Sequence, residues 1–214
     1  MKNLMTSSAA IAVVLLASSA AFAQTAVTAT TDLNVRAGPG PQYPIVGSIA
    51  ASGEASLTGC LENSKWCQVS AAGAEGWAYS DYLIADNAGA QIVVTERPAE
   101  MIPVATYEAN TATGAGAGAL VAGPIGAVVG GVAGAATGGL TEGVLTDPDP
   151  QLRTYVVENQ ADPVYLDGEV VIGAGVPETV EIREIPDYDY RYANINGQPV
   201  VIDPATRRIV YIVR

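Results

Sequence analysis

The sequence predicts a mainly β fold with a helical hairpin: a small N-terminal barrel, a glycine-rich helical segment and a small C-terminal antiparallel β meander. Two observations place the β modules: short alternating apolar runs, punctuated by Gly, Pro and Asn, recur over residues 26–85 and again over 168–214. A third places the helices: no charge occurs between Glu108 and Glu142, and glycines there recur at every fourth position. The expected division is an export signal over 1–23, the barrel over 24–86, a linker over 87–111, the hairpin over 112–141, a second linker over 142–167 and the β module over 168–214.

The N-terminus has Lys2 as a short positive region, then an apolar stretch from Ala9 to Ala17, then Ala21-Phe22-Ala23. This is the pattern of a secretory signal peptide cleaved after Ala23, and it implies a periplasmic or secreted protein. Gln24 follows the cut, so no lipid-anchoring cysteine is expected there. The net charge of −12 becomes −13 on losing Lys2, so nucleic acid and anionic lipid surfaces should repel the chain, and no nucleic-acid partner is expected. There is no histidine, so the commonest general base and metal ligand is missing. No enzyme activity, cofactor or metal site is expected. A lysine-based scheme would have to use Lys65, which sits on a hairpin tip.

In the first module, Leu33 and Val35, then Ile45, Val46 and Ile49, supply two strands around the turn-rich Ala37-Gly38-Pro39-Gly40-Pro41 loop. In GCLENSKWCQV, a four-residue loop from Glu62 to Lys65 sets Leu61 opposite Trp66 and Cys60 opposite Cys67. Opposed cysteines on neighbouring strands can form a disulfide, and an exported chain meets oxidising conditions. The run GWAYSDYLI closes the module. These stretches, LNVRAGPGPQYPIVGSI, KWCQV and GWAYSDYLI, resemble the bacterial SH3 family over about residues 26–85. The resemblance implies an SH3-like barrel of five to seven strands in the cell envelope, able to bind cell-wall peptides or other ligands.

Four residues are candidates for ligand binding: Arg36, Tyr43, Tyr79 and Tyr82. Aromatic rings offer contact area at low entropic cost in grooves for extended or proline-rich peptides. Each also has a structural reading. Arg36 would hold its loop through backbone carbonyls, with a ligand carboxylate as the alternative partner, and Trp66 and Trp77 would pack the barrel core.

Gly126, Gly130, Gly134 and Gly138 form one stripe on a helix, where another helix can approach closely. Gly123-Pro124 divides the stretch, so two helices are expected, 111–122 and 124–141. The stretch resembles the glycine zippers of bacterial envelope proteins, which implies outer-membrane association or self-association. The seven branched aliphatics from Leu120 to Leu140 contribute only about −3 kcal/mol toward insertion, so a lone span is not expected.

In the last module, Thr146-Asp147-Pro148-Asp149-Pro150 reads as an extended break. Tyr188, Tyr190 and Tyr192 alternate with charged residues and predict a strand. Asn196-Gly197 predicts a hairpin, 200–202 its return strand, and 208–213 a final strand. Val170 to Ile172 are candidates to cover one face. The runs PETVEIREIP and NGQPVVIDPATRRIVYIV resemble DUF1236, a C-terminal module of secreted alphaproteobacterial proteins, over about 168–214. That resemblance implies a compartment and no reaction. The carboxylates, Asp187 and Asp189 among them, lack the glycine-punctuated loop of a dedicated calcium site.

Two functional expectations follow. One is a non-catalytic envelope protein whose barrel binds a cell-wall peptide or an envelope protein, with the glycine hairpin for membrane association or self-association. The other is a self-assembling structural protein, a homo-oligomer, with no small-ligand binding.

Overall fold

The computed structural model describes residues 24–97, 101–105, 107 and 145–214. The stretches read as a signal peptide and as a glycine hairpin, with Gly126, Gly130, Gly134 and Gly138, lie outside the described residues.

The N-terminal region is one curled, mainly antiparallel sheet. Its strands are β1 (Thr25–Ala29), β2 (Leu33–Arg36), β3 (Ile45–Ile49), β4 (Glu54–Leu61), β5 (Trp66–Ala71), β6 (Ala74–Tyr79), β7 (Leu83–Asn87), β8 (Ala90–Val93) and β9 (Val104–Ala105). They run in the order β3-β2-β6-β5-β4-β1-β7-β8, and β9 adds in parallel to β4. The hairpin of β4 and β5 has the expected register, Cys60 opposite Cys67, and the two cysteines form a disulfide. Alternation along β5 puts Cys67, Val69 and Ala71 on one buried face; on the other face Gln68 is exposed, while Trp66 is buried. β8 and β9 fall in the stretch read as a linker. With Val94 and Ile102, both buried, they extend the barrel past residue 86.

The C-terminal region has the predicted meander as β12 (Arg191–Ile195), β13 (Gln198–Asp203) and β14 (Arg208–Ile212). Two short strands flank β12: β10 (Pro163–Val164), parallel to it, and β11 (Arg183–Glu184), antiparallel. Asn196 and Gly197 both have positive φ, 54° and 77°, as a two-residue hairpin turn of primed type requires. One expectation is corrected: Tyr188 and Tyr190 precede the strand. The backbone turns there, with Tyr188 N–H donating to the Ile185 carbonyl and Asp187 at φ 65°, so pairing begins only at Arg191.

A helix, α1 (Pro150–Glu158), lies where an extended break and a linker were read. Asp149 caps it by accepting from the Gln151 N–H at 2.8 Å, and Pro150 is its first residue, where the missing N–H is no loss. The meander is therefore covered on both faces. Leu152 and Val156 of α1 pack with Ile185, Tyr192, Val201 and Val210. On the other side, Ala193, Ile195, Val200, Ile202, Ile209 and Ile212 join one continuous core with the barrel, and Val170 and Val171 are part of it. A bulge in β14 opposite Val201 and Ile202 inserts Val210, which turns both Ile209 and Ile212 toward the barrel. Each region alone is near the lower size limit for a stable core. Here they share one.

Candidate functional site

The four predicted site residues occupy two places. Arg36, at the end of β2, is 1 % exposed, and all three guanidinium nitrogens donate hydrogen bonds. Nη1 donates to the carbonyls of Pro41 at 2.7 Å and Tyr43 at 2.8 Å, which pins the Gly-Pro loop as the sequence reading expected. Nε and Nη2 donate to the Glu169 carboxylate at 2.5 and 2.7 Å, a two-pronged ion pair with a residue 133 positions away. Glu169 is 0 % exposed. It also accepts from Asn34 Nδ2 at 3.0 Å and from the Val170 N–H at 2.9 Å. Asn34 in turn donates to Gln198 Oε1 at 2.9 Å. A buried charge is tolerated only when paired and hydrogen-bonded, and this one is.

The loop that presents Glu169 is held by the hairpin turn. Asn196 Oδ1 accepts from the Leu166 N–H at 2.8 Å, and its Nδ2 donates to the Gly168 carbonyl at 3.1 Å. Asn196 thus both forms the turn and clamps the loop. Opposite, Arg207 donates to the carbonyls of Val176, Pro177 and Val180, fixing the segment that follows.

Tyr43, 9 % exposed, packs on Gly38, where an added Cβ would lie 2.5 Å from its ring. Tyr107 meets both Tyr43 and Trp77 edge to face, with ring centres 5.9 and 5.5 Å apart. The Tyr43 phenol is raised above its ordinary pKa, first by its hydrogen bond to Tyr107 and then by burial. Beside Tyr43 lies a groove of about 290 Å³, lined by Pro41, Gln42, Pro44 and Ile45 of the barrel and by Tyr165, Asn196 and Gly197 of the C-terminal region. It adjoins a second hollow of about 440 Å³ that shares Ile45 and Gly197 and runs along β3 to Val213 and Arg214. Ile45 and Val46 are exposed, and β3 is an end strand of its sheet.

Tyr79 and Tyr82 lie in the core; Tyr79 meets Trp66 edge to face, with ring centres 5.4 Å apart, and Tyr82 lies beside Tyr79 at 6.2 Å. Burial, with Asp81 and Glu169 adding to it, pushes the Tyr82 phenol up to about 12. Tyr79 is raised further, by burial first and then by Asp167 and Asp81. Trp66 and Trp77 are buried core residues. Of the four candidates, Tyr43 and Arg36 line the groove; Tyr79 and Tyr82 stand away from it. Sequence reasoning missed Glu169, Asn34 and Tyr165, and it read Asn196 as a turn residue without its hold on Leu166 and Gly168. The one hint for Glu169 was an acidic residue opening the apolar run Val170-Val171-Ile172. Among the described residues no three metal-ligating side chains converge, and no helix is long and apolar enough to cross a membrane.

No curated protein and no solved structure matched the chain. Two family models did. Residues 31–84 match the bacterial SH3 domain, a class that binds proteins or peptides, and residues 155–214 match the domain of unknown function DUF1236. The second match begins within α1, so the helix and the meander fall in one region. The chain thus joins a region similar to the bacterial SH3 domain to a C-terminal region similar to DUF1236, in the order the sequence resemblance implied.

Proposed function

We propose that this chain is a non-catalytic, exported protein of the cell envelope that holds a cell-wall peptide or a protein partner in the groove beside Tyr43. The observation that carries the reading is the groove itself: two prolines, Ile45 and the rings of Tyr43 and Tyr165 form an apolar trough at the rim of a peptide-binding class of domain. Tyr43 is the floor, Arg36 fixes the loop behind it, and Tyr79 and Tyr82 support the barrel from within. The Cys60–Cys67 disulfide fits an oxidising compartment. In this reading residues 112–141 fasten the protein to the outer membrane or to its own copies.

Sedimentation of residues 24–214 with purified peptidoglycan at low salt tests the groove. The protein pellets with the wall, and Tyr165→Ala raises the apparent Kd at least about threefold, a loss of roughly 0.7 kcal/mol. Recovery entirely in the supernatant overturns binding to the wall. A self-assembling structural role is the second reading, favoured by the open edge of β3 with Ile45 and Val46 exposed beside it. Size exclusion with and without residues 112–141 separates the two: assembly requires that oligomers form in the whole mature chain, and the hairpin's part in it requires that they vanish in the deletion.

A further inference from the structure

The ion pair at the seam has the anatomy of a receptor and its ligand. The barrel supplies three of the four donors around Glu169: Arg36 Nε, Arg36 Nη2 and Asn34 Nδ2. The guanidinium is aimed independently of Glu169, because Nη1 is held by the Pro41 and Tyr43 carbonyls. Asn34 is aimed by its bond to Gln198. A planar fork fixed from behind, with an amide donor beside it, matches two oxygens of one oxyanion, and here they are those of the Glu169 carboxylate. Glu169, for its part, is presented from a loop clamped at Leu166 and Gly168 by Asn196, with Gly168 at φ 117°.

We propose that Arg36 and Asn34 form a carboxylate-binding site on the barrel, that Glu169 is its resident ligand, and that a free carboxylate takes the site when Glu169 is removed. The C-terminal region thereby acquires a role, which is to occupy this site in cis. The proposal goes beyond the peptide groove and does not depend on it, since the two are tested on different residues with different probes.

The test is chemical rescue. Glu169→Ala deletes one methylene and one carboxylate, the heavy atoms of an acetate ion. The variant of residues 24–214 is melted in sodium acetate and in sodium chloride at equal ionic strength and pH 7. Acetate raises the variant's Tm with the logarithm of its concentration once past its apparent Kd, by roughly 2–4 °C at five times that Kd for a chain of this size, and leaves the wild type unmoved. Equal melting temperatures for the variant in the two salts overturn the site. Should Glu169→Ala stay unfolded in both, the isosteric Glu169→Gln is used with hydrogen exchange over residues 166–171. Faster exchange in acetate than in chloride supports competition for the site, and equal exchange overturns it.

Discussion

Replacing Arg36 by leucine should reveal how strongly the seam couples the two regions. The substitution leaves Glu169 buried with Asn34 and the Val170 N–H as its remaining partners, and it orphans the carbonyls of Pro41 and Tyr43. Breaking a buried pair from one side costs about 3–5 kcal/mol, because the surviving charge stays out of water. Glu169→Leu strands the guanidinium in the same way and falls in the same range. Removing both charges together eliminates the stranded ion. Only neutral groups remain unpartnered, at about 1–3 kcal/mol each where no water reaches them. The double variant Arg36→Leu/Glu169→Leu should therefore lose clearly less than the sum of the singles, with a coupling of at least about 2 kcal/mol. Urea unfolding of residues 24–214 measures all four corners of the cycle. Trp66 and Trp77, both in the barrel, give the fluorescence signal, and circular dichroism reports the whole chain. Additive singles, or singles below about 1 kcal/mol as for an exposed ion pair, would refute the reasoning.

Three further outcomes are expected. Reducing the Cys60–Cys67 bond should lower stability by about 2.5 kcal/mol, the chain-entropy value for so short a loop, read as a shift in urea midpoint with and without reductant. Asn196 has two separable roles: Asn196→Gly keeps the positive-φ turn and loses only the clamp on Leu166 and Gly168, whereas Asn196→Ala loses both, so the alanine variant should melt lower. Tyr82 governs an alkaline limit. Its folded pKa of about 12 lies above the ordinary 10.0, so its contribution is complete below pH 10 and is lost as pH rises toward 12; Tyr82→Phe should lessen the slope of that part of a stability–pH curve, with Tyr79 supplying what remains.

Much of the fold was legible because its signals are local. The alternation of β5, the opposed cysteines and the Asn-Gly turn each follow from a few adjacent residues. The loop-holding role of Arg36 was legible too, since Pro41 and Tyr43 are near it in sequence. What was missed depends on distant partners or on competing local signals. Glu169 meets Arg36 across 133 positions, and no spacing rule reaches that far. Asp149-Pro150 served equally as a break and as a capped helix start, and the burial of Leu152 and Val156 on the meander decided for the helix. The alternating tyrosines had the period of a strand, but Asp187 turns the chain before Tyr188 can pair. β8 and β9 were hidden because the barrel's last cover, Val94 and Ile102, lies within mixed, proline-containing sequence.

The shared core and the Arg36–Glu169 seam imply that barrel and meander unfold together. Pulsed hydrogen exchange along a urea titration, read by mass on peptides covering 54–71 and 191–212, measures this region by region. One common midpoint is the predicted result. Midpoints separated by more than about 0.5 M urea, with the barrel still protected after the meander has opened, would contradict it.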